Sequence, residues 1–367
     1  MDSGKKITQV GLSRRSFLAA GVGSTVALAG CLGNGEEDGV DGSGSDNGSR
    51  YERISVSFSE QGGALNEGRL DIGVGTMMNF SITPGWVQEA VASVDDFRIL
   101  DVEDATADAW NDDDTLFIED LDTDELEGAD NDHVDVPGEV PCPTFAYNFV
   151  SRVELDYDVV YTFLETMWDV REDLADEFGI FAFHEDPEFW VQNHYEGIPF
   201  HPAAADFYQD ELDVWSDEFE RADESDDVLE ADTIRMKTSE QGTTGHAANE
   251  ALAAVMNDHL DELSIEAQTS DGSEENIGDI ASENIEMGFL QNWTAREFRE
   301  GVAPFDDLDF EMTQVFHYYD LPWYFITNNM DLETLSDIEP DMAVSPTPSG
   351  SGTAPGLERA LEYALDD

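Results

Sequence analysis

Residues 233–260 read TIRMKTSEQGTTGHAANEALAAVMNDHL, and the order of their parts decides the fold class. Thr233–Lys237 starts a short strand. Ser239-Glu240-Gln241-Gly242-Thr243-Thr244-Gly245 makes a turn, and a helix follows from Ala247 to Leu260. The same succession returns near the end of the chain. A strand over Asp341–Ser345 leads into Ser349-Gly350-Ser351-Gly352-Thr353-Ala354-Pro355, which opens a final helix. Pro355 suits a first helical turn, where its missing N–H costs nothing. A helix start exposes unpaired N–H groups and the positive end of a dipole, so it can hold an anion. Glycine lets a ligand reach the backbone, and Ser and Thr add hydroxyl donors. Ligands of open α/β sheets sit at such carboxyl ends of strands. The two turns therefore nominate Ser239, Gly242, Thr243 and Thr244 on one side and Gly350, Ser351, Gly352 and Thr353 on the other. Lys237, ending the first strand, is a candidate partner for the anion, with Arg235 as its rival on the same strand face.

Outward from these segments, strands and helices alternate. Strands are expected over Ile54–Phe58, Arg69–Gly75, Phe97–Leu100, Thr144–Val150 and Ile285–Leu290, and helices around Trp86–Val94 and over Val159–Phe178. This succession predicts parallel α/β sheets, and the length predicts two of them. Residues 101–136 are acid-rich without Lys or Arg and read as a solvated, loop-rich face; residues 216–232 read as an acidic connector. The aromatic run Phe316–Tyr324 suits a cleft lining or a core equally well.

The 367 residues carry 84 Asp and Glu against 16 Lys and Arg, a formal charge of −68. Such a field repels nucleic acid and anionic lipid headgroups, which excludes both as partners. At molar salt the Debye length falls to about 3 Å and self-repulsion is mostly screened. The composition is thus that of a halophilic protein adapted to near-saturating salt.

Residues 1–31 read as an export leader. Lys5, Lys6, Arg14 and Arg15 precede a short apolar stretch, Phe17–Ala29, which is too short to cross a bilayer. Ser13-Arg14-Arg15-Ser16-Phe17-Leu18 resembles a twin-arginine (Tat) motif, with Arg14 and Arg15 as its pair. Leu28-Ala29-Gly30-Cys31 resembles a lipobox with Cys31 as the lipidated residue. The implied place is the outer face of the cell membrane, with attachment through that lipid and a disordered tether over 32–50. Cys142 is the other cysteine, so no intramolecular disulfide is expected. Catalytic motifs are missing: no His-Glu-x-x-His, Cys-x-x-Cys, Gly-x-Ser-x-Gly or Walker-type Gly-Lys-Ser/Thr occurs. No enzyme activity, cofactor or metal is expected.

Several segments together resemble the TAXI family, the extracytoplasmic solute receptors of tripartite ATP-independent periplasmic (TRAP) transporters. They are Ser239–Gly245, Gly272-Ser273-x-x-Asn276, Gln291-Asn292, Gly350–Thr353, Gly68-x-Leu70-Asp71 with Gly75, and Pro199–Ala204 with Phe207 and Tyr208. The first turn departs from the family, carrying Ser239, Glu240 and Gln241 where Gly and Thr are usual. The resemblance implies a two-lobe type II periplasmic-binding-protein-like fold closing over a small carboxylate solute, a glutamate-like amino acid or dicarboxylate. The partners would be TRAP membrane subunits. It adds Gln291 and Asn292 to the ligand-binding candidates, with Gly75 and Asn79 from the other lobe. The alternative is a surface sensory lipoprotein using the same fold.

The order of the segments differs from the family's, whose members begin with the strand matching Thr233–Lys237. The chain is accordingly expected to be a circular permutant with residues 216–232 joining the old ends. The expected division is 51–140 with 346–367 as one lobe and 141–345 as the other.

Overall fold

The computed structural model describes residues 50–241, 243–348 and 351–365. Arg14, Arg15, Cys31, Gly242 and Gly350 lie outside the described residues. In chain order, β1 (Glu52–Arg53), α1 (Gln61–Asn66), β2 (Gly73–Thr76), α2 (Gly85–Ser93), β3 (Phe97–Ile99), α3 (Asp104–Asn111), β4 (Ile118–Asp122) and β5 (Val134–Asp135) lead into a long strand, β6 (Glu139–Arg152). The helices α4 (Tyr157–Asp169), α5 (Arg171–Glu177) and α6 (Pro202–Asp210) follow. Next come β7 (Thr233–Lys237), α7 (Thr244–Asn257), β8 (Ser264–Gln268), α8 (Ser273–Ala281), β9 (Met287–Gln291) and α9 (Asn292–Glu300). A second long strand, β10 (Met312–Thr327), precedes β11 (Ala343–Val344) and α10 (Ala354–Ala364).

β6 and β10 run antiparallel, and each belongs to two groups of strands. β10 pairs β6 over Met312–Pro322, then β2 over Trp323–Ile326 and β3 at Ile326–Thr327. β6 pairs β4 over Glu139–Pro143 and β9 over Tyr147–Val150. One end of the pair thus carries β9, β7 and β8; the other carries β2, β3, β4 and β5. This is a mixed α/β sheet in two lobes, the fold class expected, with two continuous strands crossing between them. Parallel pairing holds for β7 with β8 and β9, but the crossing strands are antiparallel. The chain returns through β10 against the direction of β6, which no purely parallel sheet allows. Both strands are buried along nearly their whole length, as strands covered on both faces must be.

Local differences from the sequence reading have local causes. The strand expected at Ile54–Phe58 is only β1, paired with β11; Phe58 turns into a 3₁₀ segment. There its ring meets Trp86 and Trp323 at 5.1 and 5.4 Å. The single helix expected over Val159–Phe178 breaks at Val170 into α4 and α5, where Arg171 stacks on the Trp168 ring and donates to its carbonyl. The aromatic run is core: Phe316, Tyr318, Tyr319, Trp323 and Tyr324 are all buried. The acidic stretch 101–136 contributes α3, β4 and β5.

The connector 216–232 is laid along the body. The Phe200 N–H donates to the Glu220 carbonyl at 2.7 Å, and the Leu229 N–H to the Glu154 carbonyl at 2.7 Å. The beginning and end of the described chain also meet. Arg53 pairs with Glu358 of α10, and Tyr51, pushed up to about 12 by burial and then by the Glu358 carboxylate, sits at the same helix. The strand Ala343–Val344 pairs with β1, so the elements on either side of the expected boundary at 345 share one sheet neighbourhood with β1 and Ile72. Among the described residues no helix is long and apolar enough to cross a membrane.

Candidate functional site

Because β7, β8 and β9 are parallel, the turns that follow them leave from one edge. After β7, the Ser239 and Thr243 hydroxyls lie 2.6 Å apart, and Thr243 Oγ1 both donates to the Glu240 carbonyl and accepts the His246 N–H, capping α7. Thr244 is the first residue of α7. Gly245 packs on β10: a Cβ there would lie 2.6 Å from the Tyr319 hydroxyl, while the Tyr318 hydroxyl donates to the Gly245 carbonyl at 3.1 Å.

After β8, the turn reaches back to the first. The Ser270 N–H donates to the Ser239 carbonyl, and its hydroxyl to the Thr238 carbonyl at 2.8 Å. Gly272, at φ 130°, occupies backbone space a side chain rarely adopts and starts α8. Asn276 then donates to the carbonyls of Thr238 and Phe289, at 2.9 and 2.7 Å, pinning α8 across the strand ends.

After β9, Gln291 caps α9 by accepting the Trp293 and Thr294 N–H groups, and its Nε2 donates to Thr294 Oγ1 and the Gly352 carbonyl. The second glycine turn is thereby brought to the first three. A Cβ on Gly352 would lie 3.4 Å from Gln291 Nε2, 3.8 Å from Thr294 Oγ1 and 3.9 Å from Ser273 Oγ. The Ser351 and Thr353 hydroxyls bond to each other at 2.8 Å. The starts of α8 and α10 carry no side-chain cap; the Ala354 N–H donates to the Ser351 carbonyl at 3.1 Å, and Ser273 lies near the Gly352 backbone.

Ser239, Thr243, Gln291, Ser351, Gly352 and Thr353 are therefore gathered along one edge, joined through Ser273, quoted above only within the Gly272-Ser273-x-x-Asn276 segment, and through Ser270 and Thr294, which the sequence reading did not single out. For Ser270 and Thr294 the signal was available only as a serine and a threonine just after strands. Asn292 begins α9, with its Oδ1 buried and unpartnered.

Three candidates are held elsewhere. Lys237 turns to α8, its ammonium 2.5 Å from Glu275 and 2.6 Å from Asp279. Burial opposes that charge, but the Asp279 and Glu275 carboxylates outweigh it and raise its pKa. Its rival Arg235 pairs with Glu286. Gly75 faces the Tyr324 ring across the β2–β10 pair, where a side chain would collide. Asn79 is tied to β10: its N–H donates to the Asp320 carbonyl at 2.9 Å and its Oδ1 accepts the Asp320 N–H at 2.8 Å.

Asp320 itself is fully buried where the long strands cross, its Oδ2 accepting Gln192 and Asn193, both at 2.9 Å. His317 Nδ1 meets Asn148 Oδ1 at 2.7 Å in the same layer. Two surface clefts, of about 130 and 200 Å³, flank the acidic connector near Tyr157 and Arg235 and include none of the turn residues. Cys142 is buried, and burial pushes its thiol well up. Among the described residues no cluster of three His, Cys, Asp or Glu could hold a metal ion.

Residues 236–365 match the NMT1-like family. No curated protein matches the chain. A crystal structure of the phosphate-binding protein of a phosphate ABC transporter from Streptococcus pneumoniae TIGR4 is similar over 74% of this chain and 70% of its own, at 13% identity and a TM-score of 0.29. A likeness that low carries no weight for fold or ligand.

Proposed function

We propose that the protein is an extracytoplasmic solute-binding receptor that takes a small carboxylate, a glutamate-like amino acid or dicarboxylate, where the strand-end turns converge, and delivers it to a TRAP-type membrane carrier. The observation that carries this reading is the convergence of the strand-end turns, with Gln291 capping α9 and donating to the Gly352 carbonyl at 2.8 Å beside Ser273. The positive ends of two helices and the hydroxyls of the turns make a place where a carboxylate can be oriented. The NMT1-like match supports a receptor of this kind. It also begins at Met236, on the strand that the TAXI resemblance places first, as a permuted chain requires.

Binding needs no chemistry. A solute that contacts both lobes shifts them toward a closed arrangement, and the carrier recognises that form. The crossing strands β6 and β10 are the connection about which closure would occur. Export through the Tat route, the lipid on Cys31 and work in near-saturating salt complete the proposal.

The test is calorimetric titration in molar KCl against a panel of amino and dicarboxylic acids. Binding of one of them, lost in Gly352→Asp, which puts a carboxylate into the helix mouth, is the expected result. Unchanged binding in that variant would remove the site from these turns.

A further inference from the structure

Loops from the two ends of the crossing strands converge on Asp320. From the end carrying β2, Asn79 holds its backbone on both sides. The Asn79 N–H donates to the Asp320 carbonyl at 2.9 Å, and Asn79 Oδ1 accepts the Asp320 N–H at 2.8 Å. From the end carrying β9, Gln192 and Asn193 donate to its Oδ2, both at 2.9 Å. Their segment is fastened to that end by the Tyr195 hydroxyl, which donates to the Leu290 carbonyl of β9. The junction is strained. Asn79 (φ 48°), Phe80 (φ 60°) and Asn193 (φ 50°) are all left-handed without being glycine, a cost that is largest for the bulky Phe80. Three buried polar atoms there also have no hydrogen-bond partner: Asp320 Oδ1, Asn79 Nδ2 and His317 Nε2, the last 3.4 Å from Asp320 Oδ2.

We propose that Asn79, Asp320 and Asn193 form a releasable latch between the lobes, in which the turn between β2 and α2 parts from β10 while the rest of the fold stays intact. The latch rests on the lobe motion about β6 and β10 given to the receptor above, and not on the identity of the solute. Left-handed residues with side chains and unsatisfied buried groups persist only where surrounding contacts hold them, and they gather at switch regions. When the turn leaves β10, water reaches the Asp320 carboxylate and the three unpartnered atoms. Asn79 and Phe80 are then free to leave the left-handed region. These gains offset the two hydrogen bonds lost to Asn79, so the latched and released arrangements lie close in energy, as a two-state element requires. Gln192 and Asn193 fix the Asp320 side chain from the other lobe, so the position of that lobe is felt at Asn79. The centre of β6 has no such weakness: Phe149 and Val150 are fully buried and paired on both sides, with β9 and β10.

The test is native-state hydrogen exchange on the full chain in molar KCl with increasing urea, read at single amides. We expect the Asn79 and Asp320 amides to exchange about tenfold or more faster than those of Phe149 and Val150. Their dependence on urea should be shallower, the mark of an opening smaller than unfolding. Asn193→Gly keeps the left-handed backbone without strain and deletes the amide on the far side of Asp320. It should speed exchange at Asn79 about tenfold more than at Phe149. Gln192→Ala deletes the other donor and should act in the same direction, which keeps the test open if Asn193→Gly does not fold. Exchange at Asn79 and Asp320 as slow and as urea-dependent as at Phe149 overturns the latch, since the contact would then break only with the whole fold. Variants that shift Asn79 no more than Phe149 overturn it too, because Asp320 would then carry nothing from one lobe to the other. Either result alongside solute binding in the calorimetric titration removes the latch and leaves the receptor. A chain that binds no solute yet exchanges as expected loses the receptor reading and keeps the latch.

Discussion

The side-chain amide of Gln291 donates to the Gly352 carbonyl at 2.8 Å, across 61 residues of chain, and so joins the end of β9 to the start of α10. The same side chain caps α9 through its Oε1. Gln291→Ala removes both links at a fully buried position. It should lower stability by about 1–2 kcal/mol, read from the urea midpoint in molar KCl. Solute affinity should fall in the same variant, because Gly352 loses its tether. A variant as stable as wild type would show that the cap and the tether are dispensable.

Gly245 and Tyr319 are in closer contact than two ordinary side chains could be. A methyl group at Gly245 would lie 2.6 Å from the Tyr319 hydroxyl and 3.5 Å from Ser239 Oγ, and Tyr319 is fixed in the β10 core by Tyr147, 5.0 Å between ring centroids. Gly245→Ala should therefore destabilise by about 1–3 kcal/mol through overpacking. Adding Tyr319→Phe, which removes the obstructing oxygen, should recover part of that loss. Equal stability of the single variant and the double variant would mean that another contact sets the limit.

Much of this architecture was legible in short sequence patterns, because local rules are enough to place a strand followed by a glycine turn and a helix. β7 occupies Thr233–Lys237, the span read from the sequence, and α7 and α10 follow their turns. Long-range pairing was not legible. Nothing local tells that β10 changes partner at Pro322 and Trp323, or that β1 is held by β11. The aromatic run Phe316–Tyr324 was undecidable for the same reason: alternating aromatics serve a cleft or a core, and only the strands on both sides decide for the core. In the site, residue types signalled an anion. Partner choice did not show, so Lys237 could not be seen to face α8.

Lys237 illustrates what pairing implies for stability. Its ammonium stands between Glu275 and Asp279, carboxylates four residues apart on α8 that repel each other once it is gone. Lys237→Met should cost about 1 kcal/mol, since both carboxylates are partly exposed and molar salt screens them. Solute affinity should stay within twofold of wild type. A large loss of affinity with stability intact would return Lys237 to the binding site.

Opposite pH slopes are built into the two sides of the crossing strands. Burial lowers His184 to about 3, with its Nε2 on the His317 carbonyl, and burial lowers His201 to about 4. Both stay neutral in the fold while their unfolded forms bind a proton near pH 6.5. The unfolded chain therefore holds more protons between about pH 3 and 6.5, and stability contributed by these residues is lost as pH falls through that window. Glu119 works the other way. Burial, then the nearby Asp320 and Asp120 carboxylates, push it up to about 7, so between about pH 4.5 and 7 the folded state holds the extra proton and stability falls as pH rises. Glu119→Gln should abolish that second slope and leave the histidine slope unchanged, measured as melting temperature against pH in molar KCl. His184→Gln keeps a donor for the His317 carbonyl and should flatten only the acidic side. If Glu119→Gln instead left the slope between pH 4.5 and 7 as it is in wild type, the carboxylates around Asp320 would not share the buried environment described for them.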